Sequence, residues 1–188
     1  MSKLLKICAA GTIGLTVVVL VFLAYLQISG NFHEVVPGQV FRAGQMDGQK
    51  LARWKREHGI ASVLNLRGQN DGEDWYETER AVTDRLAIQH IDFRMSANTE
   101  LTDKEVQSLL DVMREAPKPM LIHCKAGSDR TGIASALYIA GIEGLDEDQA
   151  EWHLSLAYGH VSLPWISNAW AMDVTWERIE PWLGFPDS

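Results

Sequence analysis

A cysteine and an arginine separated by five residues, set between an apolar strand pattern and an apolar helix pattern, constrain this chain more than anything else in it. The run is His123-Cys124-Lys125-Ala126-Gly127-Ser128-Asp129-Arg130-Thr131-Gly132. Met120-Leu121-Ile122, reached through Pro117 and Pro119, has the short apolar pattern of a buried strand, and Ile133 to Glu143 is apolar on nearly every side, as a buried helix is. A loop in that position can turn the backbone N–H groups of Lys125 to Arg130 inward and hold a dianion. Gly127 lets the chain bend with no Cβ in the way. Arg130 adds a planar fork that grips two phosphate oxygens. Cys124, under the positive end of the helix and close to Arg130, is expected to sit as a thiolate. A thiolate beneath a cradled phosphate is a nucleophile aimed at phosphorus, so the chemistry implied is phosphate monoester hydrolysis through a cysteinyl-phosphate.

The pattern His-Cys-x-x-Gly-x-x-Arg-Thr over residues 123–131 resembles the signature of the cysteine-dependent protein tyrosine phosphatases, and the chain is close in size to their dual-specificity branch. The resemblance implies Cys124 as nucleophile, Arg130 as phosphate clamp, Thr131 as the hydroxyl that helps the thiolate leave, and His123 as the residue that orients Cys124. Phosphate would lie against Lys125, Ala126, Gly127, Ser128, Asp129 and Arg130. It also implies a central, mostly parallel sheet flanked by helices, and no cofactor or metal. A competing class is a membrane-tethered phospho-binding module without catalysis; intact Cys124, Arg130 and Thr131 speak against it.

Strand and helix patterns alternate up to this loop, which independently indicates an α/β domain. Val35 to Arg42 reads as a hairpin or edge strand around Pro37-Gly38. Gly48 to His58 reads as a helix closed by Gly59, and Ile60 to Leu66 as a central strand ending at Arg67-Gly68, with Arg67 taken as structural. Trp75 to Leu86 has helical spacing, and Ile88 to Met95 reads as a strand. Thr102 to Glu105 forms a capping box, followed by Val106, Leu109, Leu110 and Met113 on one face. Asp146 can cap a helix to about Tyr158. A last helix is expected from Trp165 to Glu180, stopped by Pro181, with Trp165, Ala169, Met172, Trp176 and Ile179 as a core stripe rather than a membrane-facing belt.

Ile7 to Ile28 holds no charged residue. As a helix it spans about 33 Å, against about 30 Å of hydrocarbon. Ala24 to Gly30 offers no small-x-small cleavage site, so residues 1–30 read as an uncleaved single-span anchor and residues 31–188 as the catalytic domain. Lys3 and Lys6 precede the span and Glu34 is the first charge after it, which places the domain on the non-cytoplasmic side, the periplasm in a bacterium. Cys8 lies in the span, leaving Cys124 alone in the domain, so the cysteine count does not discriminate between compartments. Without Lys3 and Lys6 the domain has 15 basic and 25 acidic residues, near −10, which disfavours nucleic acid and anionic lipid surfaces. A monomer is expected.

Ester cleavage needs a proton for the leaving oxygen. Asp129, next to Arg130 as in the myotubularin-like lipid phosphatases, ranks first as its source, Asp92 second and Glu100 third. His33, His58, His90, His153 and His160 show no metal-ligand spacing and read as structural. Lys125 after the nucleophile makes the loop similar to those of lipid-directed members, the phosphoinositide and phosphatidylglycerophosphate phosphatases. A phosphorylated protein remains the other substrate class.

Overall fold

The computed structural model describes residues 3–186. The amino terminus and the side chains of Lys3, Lys6 and Cys8, which carry the orientation and cysteine readings, lie outside what it describes. The helix α1 (Lys3–Ser29) includes an apolar stretch, Ala9–Ser29, with a mean hydropathy of 2.3. It is long and apolar enough to cross a membrane or to serve as a signal sequence.

An α/β unit follows. Its strands are β1 (His33–Val36), β2 (Val40–Ala43), β3 (Ser62–Asn65), β4 (Gln89–Asp92) and β5 (Met120–His123), in the spatial order β1-β2-β5-β3-β4. Among the described residues the β1–β2 hairpin is antiparallel and the three other pairings are parallel. The crossovers are made by α2 (Gly48–His58), α3 (Asp74–Arg85) and α4 (Asp103–Glu115), and α5 (Asp129–Gly141) follows β5. α2 starts where Asp47 Oδ1 accepts from the Lys50 amide at 2.7 Å and ends at Gly59 with φ 72°. The Thr102–Glu105 capping box at the start of α4 is present as the sequence indicates.

Alternation along the strands makes two cores, as a period of two requires. Val40, Leu64, Met120 and Ile122 face α4, α5 and the C-terminal helix, while Phe41, Ala43, Val63 and Leu121 face α2 and α3. The sheet is therefore covered on both faces, as a mostly parallel sheet needs to be.

The chain beyond Asp146 departs from the sequence pattern. The helix capped by Asp146 is only α6 (Glu147–Glu151), continued by two short 3₁₀ turns to Tyr158. The last helix, α7 (Trp170–Leu183), starts late and runs past Pro181 to close at Gly184, φ 104°. The turn beyond Pro181 lets Leu183 reach the core beside Gly141. Ala169, Met172, Trp176 and Ile179 are buried as expected, but Trp165 is 86% exposed. It follows Pro164 in a turn with φ 64°, so the helical stripe never reaches it.

Candidate active site

The register aligns Ala43, His123, Asn65 and Asp92 across the ends of four neighbouring strands. The segments leaving those ends gather on one edge, the usual place for a site on a parallel sheet. Cys124 is the first residue beyond the central strand β5, and it is 3% exposed.

From Cys124 the chain turns into α5 through a loop whose carbonyls are all held from outside. Lys125 O accepts from the Gln45 amide at 3.0 Å and Ala126 O from Asn31 Nδ2 at 3.1 Å. Gly127 O and Ser128 O accept from one guanidinium nitrogen of Arg42, at 2.8 and 3.3 Å. In a trans peptide the next residue's N–H points opposite to each carbonyl. Four outward carbonyls thus turn the amides of residues 126–129 toward the cysteine side, and the Gly127 amide donates to Cys124 Sγ at 3.3 Å. Gly127 has φ 75°, and a Cβ there would stand 2.5 Å from the Gly44 nitrogen and 2.6 Å from the Ala43 carbonyl carbon, so no other residue fits.

Arg42 is the member of this assembly that periodicity hides. Strand β2 is buried at all four positions, Arg42 included. Its guanidinium lies 3.9 Å from the centre of the Tyr158 ring and donates to His153 O and His153 Nδ1, both at 2.9 Å. Burial pulls it down to about 10, opposed by Tyr158, Cys124 and Asp129, so it stays charged at neutral pH. Burial, then the Arg42 charge, push His153 down to about 3, and its neutral ring can accept that bond.

His123 is fully buried and pairs through Nε2 with Glu79 Oε1 at 3.1 Å. His90 reaches the same oxygen at 2.9 Å, and Gln45 donates to Oε2 at 3.0 Å. Burial alone would push the Glu79 carboxyl up; His123 first, then His90, hold it well below the usual carboxylate range. Gln45 also accepts from Arg67 at 2.9 Å, and the Arg67 guanidinium carbon lies over Trp75, 3.6 Å from the ring centre. Burial and the charge of Arg130 lower the Arg67 guanidinium while Cys124 raises it, so the three share one field. Arg130 itself is tethered to Leu66 O and Met95 O, each at 3.4 Å. Thr131 is completely buried in the first turn of α5, and its hydroxyl has no hydrogen-bond partner among the described residues. Lys125 is exposed.

The three carboxyls considered as proton sources fall in different places. Asp129, in the first turn of α5, takes His160 Nδ1 on Oδ1 at 2.8 Å, and His160 Nε2 reaches Asp173 at 3.0 Å. Burial would lower His160, but its bonds to Asp129 and Asp173 raise it to about 9. Asp92 ends β4, two strands from Cys124, with Oδ1 held by Asn65 at 2.8 Å and Oδ2 by the Tyr76 hydroxyl at 2.6 Å. It lines a separate cavity of about 490 Å³ with Tyr76 and Arg80. Glu100 is exposed and borders a cavity of about 630 Å³ with Trp165 and Trp170. The structure thus brings together His123, Cys124, residues 125–130 and Thr131, and leaves Asp92 and Glu100 at the margin. Asn31, Arg42, Gln45, Glu79, His153 and His160 are additional members. The sequence signal for Arg42 was a charge inside an apolar strand; the histidines carried none.

A family model described as "Tyrosine phosphatase family" matches residues 25–159. No curated protein matches the chain. Among solved structures, TpbA of P. aeruginosa is similar at 22% identity and a TM-score of 0.57, covering 80% of this chain and 91% of that one. A TpbA variant in complex with pTyr is similar at 21% identity and a TM-score of 0.56, covering 78% and 91%. The catalytic core of the PP-IP phosphatase Siw14 of S. cerevisiae is similar at 17% identity and a TM-score of 0.59, covering 84% and 94%.

Proposed function

The chain belongs to the tyrosine phosphatase family, and on that premise we propose that it hydrolyses phosphate monoesters through a phosphorylated Cys124, as an enzyme of the dual-specificity type. One observation carries the reading: four consecutive carbonyls of residues 125–128 are bound from outside, with Cys124 Sγ already taking one of the opposing amides. Those amides and the Arg130 fork hold the phosphate oxygens and their growing charge. The Cys124 thiolate attacks phosphorus and the phosphorus–oxygen bond to the leaving group breaks. The leaving oxygen takes a proton from the Asp129–His160 pair: the imidazole keeps one at neutral pH, and Asp129 is the member that belongs to the loop. Water then attacks the cysteinyl-phosphate, gives a proton back to the pair, and releases phosphate. The unpartnered Thr131 hydroxyl supports the departing sulfur, and His123, fixed by Glu79, orients Cys124. Asp92, with both oxygens committed, is a positioning residue for the ends of β3 and β4.

A lipid phosphate is the second substrate reading, favoured by a specific observation. The end of α1 is built into the site: Leu26 is 3% exposed, Gly30 O accepts from the Gly44 amide at 2.8 Å, and Asn31 holds the phosphate loop. We take residues 1–30 as a retained anchor and 31–188 as the catalytic domain on the non-cytoplasmic side, since cleavage would strip contacts the domain uses. Arg67, held by Gln45 and over the Trp75 ring next to the end of β3, would supply a further cation for a substrate with more than one phosphate. The pTyr complex of TpbA fits the first substrate reading, and the PP-IP phosphatase Siw14 fits a substrate with more than one phosphate. Phosphate release by the full chain from phosphotyrosine peptides, phosphoinositides and phosphatidylglycerophosphate separates them. Cys124→Ser abolishes all turnover if the mechanism holds; turnover surviving that change refutes it.

A further inference from the structure

The segment between His160 and Asp173 contains no charged residue in an otherwise acidic domain. Within it Val161 is 46% exposed, Leu163 52%, Trp165 86% and Ile166 82%. Apolar side chains gathered on one exposed loop mark a contact with something outside the molecule. Trp165 holds φ 64°, a conformation that costs a non-glycine residue about 1 kcal/mol or more. Among the described residues its ring meets one other ring, that of the half-buried Trp170, tilted at 57° with centroids 4.3 Å apart.

What covers this loop follows from where α1 runs. Among the residues of α1 whose side chains are described, Val19, Phe22, Leu23 and Leu26, spaced i, i+3, i+4, i+7, are the partly or fully buried apolar ones, with Ser29 half-buried at the helix end and the rest exposed. That face lies against the domain at Gly159, where a Cβ would meet Leu26 at 3.2 Å and Leu23 at 3.7 Å. Leu26 and Leu23 stand three and six residues before the end of the apolar stretch at Ser29. At 1.5 Å per residue, Gly159 is therefore level with a plane about 5–9 Å inside that end. The uncharged loop begins two residues later, within about 7 Å of chain. Elements that rest in a bilayer interface bury their apolar face to just such a depth, and tryptophan favours that zone.

We propose that residues 161–170 form a second membrane contact, inserted into the interface of the bilayer that α1 crosses, with Trp165 and Ile166 leading. The inference rests on the proposed anchoring of α1. Its consequence is a fixed seat for the site: α1 grips the phosphate loop through Asn31, the loop's other flank touches His160 through Asp129, and both supports end at the lipid surface. With an acidic domain, the contact is driven by apolar burial and does not need anionic lipid.

Tryptophan quenching tests it, because the apolar stretch of α1 contains no tryptophan. The full chain is reconstituted in phosphatidylcholine vesicles with and without bromine on the acyl chains. Emission should be quenched by the brominated lipid, and Trp165→Phe, which keeps the loop apolar, should remove most of that quenching. Trp182→Phe should leave it unchanged, since Trp182 stands beside Asp103 and Lys104. Quenching indifferent to Trp165→Phe, or absent from chains that float with the vesicles, overturns the proposal. So does a Trp165 shielded from aqueous acrylamide yet unquenched by lipid, which would put a second copy of the chain on the loop. Failure to float after alkaline carbonate would instead remove the anchor reading and this inference with it, while leaving the phosphatase reading intact.

Discussion

His160 ties the phosphate loop to α7, and its stability contribution should be readable as a function of pH. The folded state holds this imidazole at about 9, against 6.5 in an unfolded chain. A group raised on folding adds stability fully below the unfolded value and loses it as pH climbs through the folded one. At about 1.4 kcal/mol per unit, the whole contribution is about 3 kcal/mol, present at pH 6 and gone by pH 10. The depressed Asp173 carboxyl reports the same contact and is not counted again. His153, pushed down to about 3, titrates below this window, and Tyr76 and Tyr138, raised to about 12, titrate above it. For a chain of this length, 3 kcal/mol corresponds to about 6–12 °C in Tm. Thermal unfolding of the detergent-solubilised chain, followed by tryptophan emission, should thus show wild type losing that margin over His160→Gln between pH 6.5 and 9.5. Curves that stay parallel across the window would refute the doubly bonded imidazolium.

Arg42→Met should cost at least about 100-fold in phosphate release, because two loop carbonyls and His153 O lose their donor, with about 3 kcal/mol or more of stability. Arg42→Lys should not restore the rate, since one ammonium cannot span those acceptors. Gly127→Ala should be as damaging as loss of the nucleophile, measured by the same assay, as its Cβ has nowhere to go. Asp129→Asn should slow a poor leaving group far more than nitrophenyl phosphate, whereas Asp92→Asn should slow both alike; equal losses at Asp129 would remove it as proton source.

The phosphate loop was legible because each of its demands is local. A thiol, a glycine at positive φ, an arginine in the first helical turn and flanking apolar runs all show within ten residues. The parallel architecture was legible too, since alternating strand and helix patterns leave few topologies. The supports were not. Arg42 and Glu79 are charges whose burial is compensated by partners 111 and 44 residues away, and no pattern along the chain announces such pairs. His90, His153 and His160 lack any metal-like spacing, and their roles depend on rings meeting carboxyls or a guanidinium from other elements. Trp165 misled for the opposite reason: a sound helical period was carried one turn too far back, to the residue after Pro164, into a segment where the chain does not coil.

Asn31 has a practical bearing on how the enzyme can be handled. One amide nitrogen bonds both Ala126 O and Tyr158 O, and its backbone N–H caps the last turn of α1. A truncation that begins at Phe32 to gain solubility would therefore remove part of the catalytic scaffold with the hydrophobic tail. Weak turnover by such a fragment would say more about the cut than about the chemistry.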